Sequence, residues 1–90
     1  MKLEYINEGR GGYVVYKDDK ADLKCSFEFG GGNCVAIIFV PKAAHWLSQT
    51  KRELLEREAV LNFVGQQAVK DQAAGGHFVV SDNYIEIFSR

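Results

Sequence analysis

Residues 33–40, Asn-Cys-Val-Ala-Ile-Ile-Phe-Val, read as a β-strand that is apolar on both faces, in a chain whose periodicity supports one long helix. A strand sends successive side chains to opposite sides of its sheet, so each face of such a strand needs its own cover. One helix covers one face. A second subunit, a ligand or a fold of the sheet upon itself must meet the other, and this ties the fold to the function more firmly than any other feature.

The rest of the first half is punctuated by glycine and turn residues. Leu3 to Ile6 is a short candidate strand, Glu8-Gly9-Arg10-Gly11-Gly12 turns the chain, and Tyr13-Val14-Val15-Tyr16 is aromatic and β-branched. After the turn at residues 17–22, Leu23, Cys25, Phe27 and Phe29 alternate with Lys24, Ser26 and Glu28, so one face of that strand is wet. The triple glycine 30–32 leads into the two-faced strand, which ends at Pro41, a residue with no ladder donor.

The period then changes. Thr50-x-x-Glu53 has the form of a capping box, and a helix is expected from about Lys51 to Gln72. Leu54, Leu61, Val64 and Ala68 form its apolar side, Arg52, Glu56, Gln67 and Lys70 its polar side, with Glu53 and Arg57 placed as an i,i+4 ion pair. Phe63 falls on the polar side. Ala73-Ala74-Gly75-Gly76 stops the helix, and residues 77–80 and 84–88 form a closing hairpin around Ser81-Asp82-Asn83. The expected fold is α+β: a single, mostly antiparallel β-sheet in the order ββββαββ with one long helix packed on one face, and residues 1–90 forming one domain.

Register decides what the open face carries. A three-residue loop at Gly30–Gly32 sets Val35 beside Phe27 and Ile37 beside Cys25, gathering the larger side chains beneath the helix; a two-residue turn exchanges the faces. The first is preferred, and it leaves Ala36 and Ile38 on the open face with Tyr84 and Phe88. These four residues are the expected interface. A two-fold homodimer is the commonest way to cover such a face, and another protein partner is the alternative.

Charge and motif exclude other chemistries. Eleven basic against twelve acidic residues leave a net charge of −1, which offers no footprint for nucleic acid, and no apolar run reaches membrane-spanning length. An acidic residue at position 4 breaks the pattern of a signal peptide, so a cytoplasmic protein without membrane contact is expected. Gly9-Arg10-Gly11-Gly12 with Tyr13, Tyr16, Phe27 and Phe29 imitates a single-strand-binding surface, but turn and core roles explain these residues better. Asp18, Lys20 and Asp22 imitate the start of a calcium loop without its glycine and glutamate, and read as a solvated turn. Cys25, Cys34, His45 and His77 lack metal-ligand spacing, so neither a metal nor a cofactor is expected. Strand geometry also sets Cys25 and Cys34 too far apart for a disulfide.

Two functions follow. The first is a non-enzymatic interaction module that self-associates through the helix-free sheet face. The second is a small-molecule binder or thiol enzyme in which His77 activates Cys34 beside the glycine loop.

Overall fold

In the computed structural model, which describes residues 1–90, the glycine-punctuated first half folds into a four-stranded antiparallel meander: β1 (Lys2–Glu8), β2 (Gly11–Lys17), β3 (Asp22–Phe29) and β4 (Cys34–Phe39). A short helix α1 (Trp46–Thr50) and a longer one, α2 (Arg57–Gln72), each entered through a 3-10 turn, follow before the hairpin β5 (His77–Val80) and β6 (Tyr84–Phe88). All six strands form one antiparallel sheet in the order β1-β2-β3-β4-β6-β5. The chain leaves β4, crosses one face through α2 and returns in β5, with β6 filling the position between them.

Beneath α2 the sheet contributes Val14, Tyr16, Leu23, Cys25, Phe27, Ile38, Ile85 and Ile87. The helix answers with Val60, Leu61, Val64 and Ala68, which recur at the spacing that keeps one side of an α-helix against the sheet. Gly65 allows the closest approach: a Cβ there would lie 2.3 Å from the Phe78 ring. Trp46, fully buried, closes the core at the β2–β3 turn end and donates its indole N–H to the Glu53 carbonyl at 3.0 Å.

The long helix begins later than its sequence pattern suggests. Thr50 Oγ1 donates to the Trp46 carbonyl (2.6 Å) and accepts from the Arg52 amide (3.1 Å), so it closes α1, and Lys51 takes a left-handed conformation (φ 62°). The box is formed one turn on, where the Glu56 carboxylate accepts from the Glu53 amide at 3.1 Å. Three assignments change with it. Leu54 is 55% exposed rather than buried. Arg57 turns from Glu53 to the carbonyls of Pro41 and Asp82, tying the helix start to β4 and the β5–β6 turn. Arg52, expected on a wet helix face, is only 3% exposed. Its guanidinium forks onto Asp18 at 2.7 and 3.0 Å and reaches the Ala21 carbonyl, so the Asp18 turn is a structured anchor rather than a solvated loop. Phe63 meets Tyr16 edge-on, with ring centroids 5.6 Å apart.

Candidate interaction face

The β3–β4 register reverses the expected faces. The Cys34 amide bonds to the Gly31 carbonyl and the Gly30 amide to the Val35 carbonyl, closing a two-residue turn at Gly32-Asn33. Gly32 carries the positive φ (59°) that this turn needs. Phe27 therefore faces Ile38, and Glu28 faces Ile37. Ile38, 2% exposed, belongs to the core, and Ala36 packs against it, so neither stands on the open face. A bulge between Cys34 and Ala36 then places Val35 against the core as well. Of the four residues expected at an interface, Tyr84 and Phe88 lie on the helix-free side; from β4 their companions are Ile37 and Phe39.

That open face carries large side chains on both sides of the junction between β3 and β4. Ile6 lies opposite Tyr13 and Tyr13 opposite Ser26 on the first three strands, and Phe39 lies opposite Tyr84 on the last; the β3–β4 ladder ends at Phe27 and Ile38, so an opening parts Ser26 from Phe39. Ile6 is 43% and Tyr84 36% exposed. A parallel row runs Glu28, Ile37, Glu86, Val79, and a third Cys34, Phe88, His77. Lys24 extends over the Tyr13 ring, its Nζ 4.1 Å from the centroid, and the stems of such residues help to bury Val15 without a second layer. The first hairpin thus contributes Ile6 and Tyr13 to a face that sequence reasoning confined to β4 and the final strand. The signal was present in the alternation of Tyr13 and Val15 with Val14 and Tyr16, which places one aromatic residue on each side.

The thiol alternative meets a steric obstacle. Cys34 and His77 both neighbour Phe88 but on opposite sides, two strand spacings or about 9.5 Å apart. His77 stacks on the Phe88 ring at 4.9 Å, and the Cys34 thiol points to the Ala36 carbonyl at 3.6 Å. Cys25 lies in the core, where burial pushes its thiol up to about 12. Both cysteines are free. No three histidine, cysteine or acidic side chains gather as metal ligands would. Tyr16 and Phe27 are buried and Tyr13 is capped by Lys24, which leaves Phe29 as the exposed aromatic of the set that imitates a single-strand-binding surface.

Four clefts mark the surface, and two of them adjoin β3 and β4. Between the end of α2 and the sheet, an apolar cleft of about 70 Å³ is walled by Tyr5, Phe27, Phe29 and Val35. Where β3 and β4 separate beyond Phe27 and Ile38, a wider polar opening is lined by Lys24, Ser26, Lys42, His45 and Gln49. No helix is long and apolar enough to cross a membrane. No family model, curated protein or solved structure matches the chain.

Proposed function

We propose that this protein is an interaction module without enzymatic activity of its own, which self-associates through the open sheet face as a two-fold dimer. The observation that carries the reading is the apolar cluster Ile37, Phe39, Tyr84 and Phe88 on the paired strands β4 and β6, with the row Ile6, Tyr13, Ser26 across the opening beside it, on a sheet layered by helices on one side only. A contiguous apolar surface of that kind is uncommon on a monomer and marks an association site. Charge supports a second copy as the partner. Lys24 and Glu28 flank Ser26 on the central strand β3, on opposite sides of the row. A two-fold axis lying along the row sets Lys24 of one copy over Glu28 of the other, twice per dimer. Sheets packed in this way lie about 10 Å apart, a gap that aromatic side chains fill.

Sedimentation equilibrium of the wild-type chain and of Phe39→Lys tests the reading. At low micromolar concentration, below the range of a weaker contact through the sheet edge, a dimer in the wild type and a folded monomer in the variant are expected. A wild-type chain that stays monomeric at high micromolar concentration contradicts it.

A further inference from the structure

Beyond the open face, and resting on the reading that the chain self-associates, we infer that the free edge of β1 pairs with β1 of a second copy to form one continuous antiparallel sheet. The Phe29 amide bonds to the Arg10 carbonyl at 2.9 Å, which fixes the alternation of the first three strands. Gly11, Tyr13, Val15 and Lys17 direct their peptide groups to β1, and their partners Glu8, Ile6, Glu4 and Lys2 direct theirs back. The peptide groups of Leu3, Tyr5 and Asn7 therefore point out from the sheet edge, and no backbone bond outside the ladders reaches them.

An edge of this kind is a template for another strand. Its sequence, Lys2-Leu3-Glu4-Tyr5-Ile6-Asn7-Glu8, is self-complementary about Tyr5. With Tyr5 facing Tyr5 of the second copy, Leu3 meets Asn7 and Asn7 meets Leu3, so all three outward residues on each strand find hydrogen-bonding partners. The same register sets Lys2 directly opposite Glu8 at both ends, at cross-strand distances where opposite charges attract. Glu8 has no ion-pair partner within the chain. Registers centred on Leu3 or Asn7 leave outward peptide groups beyond the end of the partner strand. The charges that would blunt this edge against an arbitrary strand thus favour its own copy.

The test uses the Tyr84→Lys background, which removes the open-face contact. Sedimentation velocity on that variant at ~200 μM is expected to show a dimer, a concentration within reach of weak transient contacts. Adding Asn7→Pro deletes an outward amide on an edge where proline is tolerated, and is expected to weaken the dimer at least about tenfold while leaving the circular dichroism unchanged. Glu8→Lys in the same background weakens it through like charges, and Lys2→Glu with Glu8→Lys restores it. A Tyr84→Lys chain that is strictly monomeric, or a dimer indifferent to both Asn7→Pro and Glu8→Lys, overturns the edge pairing. If the wild-type chain still dimerises in the first case, self-association through the open face stands; if it too is monomeric, both readings fall.

Discussion

Ile38 lies directly opposite Phe27 in the β3–β4 ladder, and that single pairing decides which side chains the molecule offers to a partner. Because sheet residues alternate, placing Ile38 beneath α2 turns Ile37 and Phe39 to the side no helix covers. Ile38→Lys should therefore unfold the chain and Phe39→Lys should not. Burying an unpaired ammonium in the core is among the few changes that destabilise a small domain beyond recovery. Thermal unfolding followed by circular dichroism should show a cooperative transition for Phe39→Lys and none for Ile38→Lys.

Gly65 is expected to resist replacement although it sits inside a helix. Alanine there gains about 1 kcal/mol in helix propensity. Its Cβ, however, would lie 2.3 Å from the Phe78 ring, forcing α2 and β5 apart at a cost of about 1–3 kcal/mol. Gly65→Ala should lower the urea midpoint, and Phe78→Ala should be less damaging in the Gly65→Ala background than alone. A double-mutant cycle reads this coupling.

Acid should act on the anchor between the β2–β3 turn and α1. The Arg52 guanidinium, followed by the Lys20 and Ala21 amides, holds the Asp18 carboxyl well below its ordinary value of 3.8. A depressed folded value means that the pair's contribution is complete above the ordinary value and is lost as pH falls through the folded one. Urea midpoints should be flat in this respect from neutral pH to about pH 5 and decline below about pH 4. Asp18→Asn should reduce that acid dependence. Arg52→Ala should lower the thermal midpoint by on the order of 10 °C, since it removes a buried fork and leaves the Ala21 carbonyl and Asp18 without their partner.

The two thiols should differ in reactivity for reasons of place. Cys34 is half-buried at the mouth of a turn, whereas Cys25 is 5% exposed and its thiol is pushed up to about 12. Alkylation at neutral pH should label Cys34 at least about tenfold faster, as burial both suppresses the Cys25 thiolate and blocks access to it. Because Phe88 separates Cys34 from His77, His77→Ala should leave that rate unchanged; a clear fall would revive an imidazole-activated thiolate.

The periodic elements were legible in the sequence because local rules govern them. The alternation in residues 23–29, the apolar stripe from Val60 to Ala68 and the glycine stop after Gln72 each reflect a local pattern of one chain segment. What escaped was settled by contacts distant in sequence or by local degeneracy. Three consecutive glycines followed by asparagine permit a turn at several positions, so the register of β4 could not be fixed from the loop. Thr50-x-x-Glu53 and Glu53-x-x-Glu56 offer overlapping caps, and the Thr50 hydroxyl was taken by the Trp46 carbonyl. Phe63 looked misplaced among polar residues and Arg52 looked solvated, until Tyr16 and Asp18, both brought by the β2–β3 hairpin, supplied their partners. The polar residues of β3 suggested that the open face was narrow, yet Ile6 and Tyr13 extend it across the first hairpin.

The most direct measurement is an NMR dilution series that follows assigned side-chain signals from high to low micromolar concentration. Self-association through the open face predicts concentration-dependent shifts for Ile37, Phe39, Tyr84 and Phe88, with Ile38, Ile85 and Ile87 beneath the helix unmoved. Spectra independent of concentration, or shifts confined to the helix-covered side, would contradict it.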